Sequence, residues 1–168
     1  MSFEAALELA GNTYNVINCR IVLQQRFGRN GKPASDVHAA RMQIILEGTD
    51  DSTFGAWIGE HTKKHNGRIV FYQSDQPGAT FKEVKFEGAY LLTLIENFTV
   101  ETQTTQSLLM QYDEIETDLT AHDSGEQEKV KNALKSLFGN QLATGMSYCV
   151  LLKMVAEKII IDGVEHAV

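Results

Sequence analysis

Hydrophobic and polar residues alternate along much of the stretch 1–100. Alternation with a period of two puts successive side chains on opposite faces of a strand. It predicts strands at 3–9, 13–25 and 39–47, with a tight turn at Gly11-Asn12 between the first two. The second strand is predicted to have an apolar face and a more polar one: the first carries Ile17, Cys19, Ile21 and Leu23, and the second carries Tyr14, Val16, Asn18 and Arg20.

The period becomes helical after the third strand. Ser52 or Thr53 can cap a helix that ends at Asn66-Gly67, a pair suited to a left-handed stop. The apolar positions of this helix follow the spacing i, i+3, i+4 and i+7, and they are Phe54, Trp57, Ile58 and His61. Because the stripe covers one side only, this short helix is predicted to pack against the strands.

Strand patterns resume after the helix and again near the C-terminus. The predicted strands are 68–73, 81–92, 146–161 and 164–168, and 95–100 can continue the strand 81–92 after a change of direction. Gly88 interrupts the strand 81–92 and is a candidate bulge or bend. Asp162-Gly163 is predicted to be the turn of a C-terminal hairpin.

The segment 102–145 has the pattern of a helical hairpin. Its first apolar stripe follows the spacing i, i+4, i+7 and i+11, and it consists of Leu108, Tyr112, Ile115 and Leu119. Ser124 then opens a capping-box pattern, and the second helix is predicted to stop at Gly139-Asn140. The stripe of this second helix consists of Val130, Leu134, Leu137 and Phe138.

These elements give the order β-β-β-α-β-β, then helices, then β-β. Many strands with few helices predict a mainly β fold, a partly closed antiparallel barrel or sandwich with one helix on its side. At 168 residues the chain is predicted to form a single domain, 1–168, with 102–145 as a helical segment inserted in it.

Composition and charge narrow the classes of function that the chain can have. The net charge of −7 argues against nucleic acid or an anionic membrane as the main partner, because both need a basic surface. Residues 1–4 lack the basic region and apolar run of a signal peptide, and no apolar stretch is long enough to span a membrane. The sequence therefore predicts synthesis and folding in the cytoplasm and, if the protein leaves the cell, export by a route other than general secretion.

The sequence signals for a catalytic, phosphate-binding or metal site are weak. The glycine-rich loop at 28–33 lacks the spacing of a phosphate loop, and a connecting loop is the favoured interpretation. His61 and His65 have a spacing that a metal could use, but a core-edge histidine and a helix C-terminal partner are the preferred roles. Cys19 and Cys149 lie in apolar alternating segments and are predicted to be packed thiols rather than a disulfide.

The acidic residues of the predicted hairpin match no calcium-loop spacing and are predicted to form a solvated helix face: Asp113, Glu114, Glu116 and Asp118. No serine or cysteine lies in a nucleophile-elbow pattern. The sequence thus predicts neither an enzyme nor a cofactor or metal site. Function is expected to reside in strand edges, loops and the segment 102–145.

Several motifs, in order, resemble the tube proteins of type VI secretion systems, the Hcp (TssD) family of the Bacteroidetes type. The resemblance rests on the beginning of the chain with Tyr14-Asn15-Val16 and Cys19, on the loop 31–35, on the helix 54–58, on the strands 67–72 and 86–91 with Glu96-Asn97-Phe98, and on the hairpin 161–166. It covers 1–100 and 146–168. The segment 102–145 departs from the family pattern, in which a short loop joins the strands, and other members continue briefly past the position of Val168.

The resemblance implies an Hcp-like antiparallel β-barrel with one flanking helix. It further implies hexameric rings that stack into a tube, a lumen that can hold effectors, and sheath, spike and effector proteins as partners. The chain would be made in the cytoplasm and exported through the type VI apparatus. The family pattern also suggests an inter-subunit loop, with Arg29, Lys32, Pro33 and Ser35 as its residues.

A second hypothesis stays open for the inserted segment. An Hcp-like adaptor or chaperone could bind an effector through the helix face of Leu108, Tyr112, Ile115 and Leu119, as amphipathic helices bind grooves. The simpler alternative is that the hairpin packs on its own barrel. An effector activity within the segment finds no nucleophile–base pair or ligand set to support it.

Overall fold

The fold was analysed in a computed structural model of the chain. The structure describes residues 3–25, 28–32, 39–76, 78–99 and 124–167. Within those ranges it contains seven strands and two helices, in the order that the sequence predicts. In chain order they are β1 (Phe3–Leu9), β2 (Asn12–Gln24), β3 (Ala39–Glu47), α1 (Thr53–Gly59), β4 (His65–Gln73), β5 (Thr80–Phe98), α2 (Ser124–Thr144), β6 (Tyr148–Ile161) and β7 (Val164–Ala167).

All the strands pair in antiparallel fashion in one sheet, with the order β3-β2-β1-β4-β5-β6-β7. An additional pairing between β3 and β6 brings the sheet back on itself and makes a barrel of the first six strands. Strand β7 lies beside the C-terminal end of β6. The predicted mainly β fold with an antiparallel barrel is therefore confirmed.

The barrel closes only in part, because two long strands run past their partners. Strand β2 pairs with β1 as far as Val16, whereas its residues 18–24 pair with β3 alone. Strand β5 pairs with β4 as far as Ala89, and its residues 90–98 pair with β6 alone. Among the residues that the structure describes, the strands β2, β3, β6 and β5 thus extend as a four-stranded sheet with two free edges.

The barrel interior forms the main core. It combines inward side chains from β1 to β6 with two residues of α1, Phe54 and Trp57. The ring of Trp57 is almost fully buried, its indole N–H donates to the carbonyl of Lys63 at 3.0 Å, and His65 packs edge-on against it. This helix therefore fixes the connection between β3 and β4 to the barrel through Phe54 and Trp57, whereas Ile58 and His61 of the predicted stripe are exposed.

The predicted faces of β2 are wrong in part. Tyr14 and Val16, assigned to the more polar face, are buried in the main core. A bulge between Val16 and Asn18 adds one residue, so the strand changes face at that point. Beyond the bulge, Cys19, Ile21 and Leu23 pack against the same core, whereas Ile17 packs on the outer face.

The predicted end of the first helix is also wrong. Helix α1 ends at Gly59, and Glu60 is extended, with φ −119°. Ser52 occupies the N-cap without a capping hydrogen bond; the Asp51 carboxylate accepts from the Thr53 N–H at 2.9 Å instead. Asn66-Gly67 lies inside β4, where Gly67 pairs with Phe86 and Leu9.

The glycines of β4 and β5 have structural roles. A Cβ on Gly67 would lie 2.6 Å from the Phe86 ring and 2.7 Å from the carbonyl oxygen of Glu8, so only glycine lets these strands approach. Gly88 has φ +62° and lies where the β4–β5 register shifts between His65 and Gly67. The predicted bulge at Gly88 is confirmed.

Helix α2 packs on the outer face of the barrel. Ala133 and Leu137 meet Ile45, Cys149 and Leu151 there in a second core. The predicted stripe of the second hairpin helix forms this contact and a smaller cluster around Leu134 and Phe138. In the part of the chain that the structure describes, no helix is long and apolar enough to cross a membrane.

The predicted stop of this helix at Gly139-Asn140 is wrong, because α2 continues to Thr144. The buried Gln141 accepts a hydrogen bond from the Asn97 side chain, which holds the last turn against β5. Gly145, with φ +69°, is the residue that ends the helix, and its N–H donates to the Gln141 carbonyl at 2.9 Å.

Candidate assembly surfaces

The loop after β2 folds into a turn held by its own backbone. The N–H of Gly28 donates to the carbonyl of Lys32 at 2.7 Å, and the N–H of Gly31 donates to the carbonyl of Gly28 at 3.0 Å. Gly31 has φ +76°, which glycine adopts without strain. The side chains of Arg29 and Lys32 are exposed on this turn, so the turn presents two cations on the surface of an acidic chain.

Other predicted site residues lie outside the described residues. Pro33 and Ser35, assigned to the inter-subunit loop, are among them, and so is the predicted partner-binding face of Leu108, Tyr112, Ile115 and Leu119. Both assignments stay predictions. The structure places Arg29 and Lys32 on the same turn. The segment 102–123 lies outside the described residues.

Two aromatic pairs lie exposed at opposite ends of β5. Phe81, at the start of the strand, packs on Phe3 with ring centroids 4.8 Å apart. Phe98, at its end, is 60% exposed and stacks on Tyr148 at 4.1 Å. Exposed aromatic side chains on a folded surface are typical of contact sites between proteins.

Tyr148 is fixed from two sides. Its hydroxyl donates to the Glu96 carboxylate at 2.7 Å, and its ring lies where a Cβ on Gly48 would be. Burial, and then the hydrogen bond to Glu96, raise the pKa of Tyr148 to about 12. The hydrogen bond to Glu96 and the packing on Gly48 fix the ring on which Phe98 stacks.

The free edges are the third kind of surface. Residues 18–24 of β2 and 90–98 of β5 lie at the two sides of one sheet, and each pairs on one side only. A strand edge presents unpaired backbone N–H and C=O groups, which another chain can satisfy. The sequence patterns did not reveal these edges, since an edge depends on which strands pair and in which register.

The two histidines considered as metal ligands lie in different surroundings. His61 is exposed beyond the end of α1, whereas His65 is half-buried against Trp57; burial, and then Lys63, lower the pKa of His65. Among the residues that the structure describes, no group of three or more His, Cys, Asp or Glu could hold a metal. A metal site on His61 and His65 is therefore not supported.

The two cysteines are free. Burial raises the pKa of the Cys19 thiol to about 12, and burial followed by Glu47 raises that of Cys149. Thiols in this state are poor nucleophiles, because the reactive form is the thiolate. The prediction that both pack as small apolar side chains is confirmed.

An antiparallel barrel with two free strand edges, exposed aromatic pairs and an ordered basic turn defines a class of protein. Its surfaces suit association with other chains, and its buried thiols and histidine serve packing. The features are those of a structural assembly subunit.

Solved structures share this fold. The Hcp1 protein from Flavobacterium johnsoniae matches with a TM-score of 0.65 and 21% identity, covering 98% of this chain and 99% of that chain. A crystal structure of an Hcp protein matches with a TM-score of 0.56 and 6% identity, covering 100% and 99%. The Hcp1 protein from an E. coli EAEC 042 pathovar matches with a TM-score of 0.51 and 10% identity, covering 100% and 98%. At these identities the likeness shows the fold.

Sequence comparison identifies the family. The family model of the hemolysin coregulated protein Hcp (TssD) matches residues 1–124, well over half of the chain. No curated protein matches the sequence significantly. The chain belongs to the Hcp (TssD) family, the tube proteins of type VI secretion systems, and the predicted family and tube-subunit function are confirmed.

Proposed function

We propose that the chain forms hexameric rings that stack into the tube of a type VI secretion system, with effectors carried in the lumen. The family match carries this proposal. The role proposed for the chain is structural: it is made in the cytoplasm and exported through the apparatus. Its partners are further copies of itself and the sheath, spike and effector proteins.

The two free strand edges support ring formation. They lie on opposite sides of the sheet β2-β3-β6-β5, so the β5 edge of one copy can pair with the β2 edge of the next. Contact between two different surface patches is heterologous, and it gives a closed ring when the rotation between copies closes. Ring closure then removes the exposed backbone groups of every copy.

The basic turn supports the proposed inter-subunit loop. Arg29 and Lys32 lie just after the free part of β2, so strand pairing would bring them against the neighbouring copy. Each copy carries a net charge of −7, which favours the approach of a basic turn to a neighbouring copy. Pro33 and Ser35 complete the proposed loop.

The segment 102–145 is proposed as an insertion within a single domain, 1–168. Its second half, α2, packs on the barrel through Leu137 and Ala133, which supports its being part of the subunit fold. A ring built through strand edges leaves α2 on the face of the sheet, away from the paired backbone groups.

Multi-angle light scattering on the purified chain tests the proposal. Six copies of the 18.7 kDa chain give a mass of about 112 kDa. The double variant Arg29→Gln/Lys32→Gln is expected to shift the mass toward the monomer. The control Lys63→Gln/Lys85→Gln removes the same charge away from the turn and is expected to keep the hexamer. A wild-type chain that stays monomeric at high concentration would contradict the proposal.

A further inference from the structure

The sheet β2-β3-β6-β5 has different neighbours on its two faces. Along β3, Ile44 and Leu46 belong to the main core of the barrel, whereas Ile45 between them belongs to the cluster under α2. Along β6, Leu152 and Leu151 divide in the same way. Since successive side chains of a strand point to opposite faces, this sheet lies between the rest of the barrel on one side and α2 on the other.

Polar contacts also hold α2 on its face of the sheet. The Ser136 hydroxyl accepts a hydrogen bond from the Gln43 side chain of β3 at 3.4 Å, and Gln141 accepts one from Asn97 of β5. Asn132, on the opposite side of the helix, is exposed. The helix is therefore a layer over the sheet, with the side of Asn132 turned away from the strands.

Pairing of the strand edges in the proposed ring would turn this sheet into the wall of a cylinder. Three antiparallel pairings make β2 and β5 run in opposite directions, so the β5 edge of one copy can pair with the β2 edge of the next in antiparallel fashion. At about 4.8 Å between strands, the roughly 24 strands of six copies give a cylinder about 37 Å across without strand tilt, and about 45–52 Å across at the usual tilt of about 35–45°. One face of each sheet then lines the inside.

Of the two layers that cover the sheet, α2 is the one that fits inside this cylinder. A layer about 10 Å inside the wall has a circumference of about 50–100 Å. The other half of the barrel includes neighbouring segments of β2, β1, β4 and β5, and six copies of these need about 115 Å. Six helices on the same circle have axes about 8–16 Å apart, which is no closer than ordinary helix packing at about 8–10 Å.

We infer, on the basis of the proposed ring, that α2 lines the lumen of the tube and that its six copies narrow the channel. The axis of a packed helix lies about 10 Å from the sheet and its side chains reach about 5 Å further, which leaves a channel about 7–22 Å across. A folded domain of about 100 residues has a radius of gyration of about 13 Å and is wider than this channel. An effector carried in the lumen would therefore pass as an extended chain and would contact the side of α2 that carries Asn132.

Distances between spin labels test where α2 lies in the assembled ring. Asn132→Cys places a label on the exposed side of α2, and the control Glu4→Cys places one on the exposed side of β1, in the other half of the barrel. Both are made in a Cys19→Ala chain, since the remaining Cys149 is fully buried. In the ring, the nearest Asn132→Cys labels are expected to lie less than about 20 Å apart, and the nearest Glu4→Cys labels more than about 30 Å apart.

Light scattering keeps this inference distinguishable from the ring itself. A wild-type chain without hexamers would remove the proposed ring and the inference together. Hexamers in which the Asn132→Cys labels lie as far apart as the Glu4→Cys labels would overturn the inference alone.

End-on electron micrographs of wild-type rings give a second readout that needs no variant. They are expected to show a central channel of about 7–22 Å, whereas an open channel of about 27 Å or more, the width left by the sheet alone, would overturn the inference.

Discussion

Gly67 lies on β4 between β1 and β5, close to the backbone of β1 and to a side chain of β5. Replacing it with alanine would put a methyl group 2.7 Å from the backbone oxygen of Glu8 and 2.6 Å from the Phe86 ring. Because a backbone atom cannot swing aside, we expect Gly67→Ala to lower the free energy of unfolding by about 1–3 kcal/mol.

Chemical denaturation measures this change, and Gly55→Ala is the matched control. Gly55 lies in α1 with nothing within 4 Å of the added Cβ, so alanine there is expected to be neutral or stabilising by up to about 1 kcal/mol. Equal stability of the wild type and Gly67→Ala would show that the strands separate more easily than this packing implies.

The half-buried thiol of Cys19 makes the free energy of unfolding depend on pH above the neutral range. In the unfolded chain the thiol ionises near its ordinary pKa of 9.0, whereas in the folded chain burial raises that pKa to about 12. Its contribution is therefore complete below pH 9 and is lost as pH rises toward 12, at up to about 1.4 kcal/mol per pH unit.

Urea titrations at several pH values test this dependence. The pKa of Tyr148, raised from 10.0 to about 12, adds a loss in the same direction from pH 10 upward. Cys19→Ala removes the contribution of Cys19 and leaves those of Cys149 and Tyr148, so the slope between pH 9 and 10 should become shallower than in the wild type without vanishing. An unchanged slope would mean that the thiol ionises as freely in the fold as outside it.

Sequence patterns locate buried residues well where a strand is regular, as with Met42, Ile44 and Leu46 on β3. They fail for Tyr14 and Val16, because the bulge in β2 shifts the alternation by one residue. The need for glycine at position 67 is also not visible in the sequence. It arises because β1 and β5, which are distant in sequence, both approach this position closely. The period of hydrophobic residues reports local secondary structure and carries no information on these tertiary contacts.

Helix α2 is an integral part of the subunit if its packing on the barrel is strong. Leu137 is fully buried against Ile45 and Leu151, so Leu137→Ala is expected to destabilise the protein by about 2–5 kcal/mol. Thermal unfolding measures the effect. Asn132→Ala, on the exposed side of the same helix, should stay within about 0.5 kcal/mol of the wild type.

A small effect of Leu137→Ala would instead favour a helix that detaches to bind a partner, as the adaptor hypothesis requires. Deleting all of 102–145 would expose Ile45, Cys149 and Leu151. A loss of function in that deletion could then come from lost packing or from lost partner binding. A shorter deletion of 102–122 keeps α2 and removes the predicted partner-binding face. If this deletion leaves both ring formation and effector recovery unchanged, the segment has neither role.

The sequence predicts the type and order of the helices and strands, but it does not predict the residues at which the helices end. The order of strands and helices agrees with the predicted one. Helix α1 is shorter than predicted because the chain after Gly59 joins β4, and α2 is longer because Gln141 is buried against β5. In both cases tertiary packing outweighs the local signals of glycine and asparagine.

At the scale of the molecule, the predicted family and barrel are confirmed, and both depended on the order of motifs along the chain. The assembly surfaces were harder to predict from the sequence. Of the loop predicted from the sequence, the structure describes Arg29 and Lys32 and shows both exposed. The free edges of β2 and β5 emerge only from strand register, because they depend on pairings between distant parts of the chain.

Electron microscopy of the purified chain is the most direct test of its role as a tube subunit. The account predicts rings with six-fold symmetry, together with stacks of rings at high protein concentration. The variant Arg29→Gln/Lys32→Gln should show fewer rings under the same conditions. Fields of single subunits without rings or stacks, from protein that is folded by circular dichroism, would contradict the account.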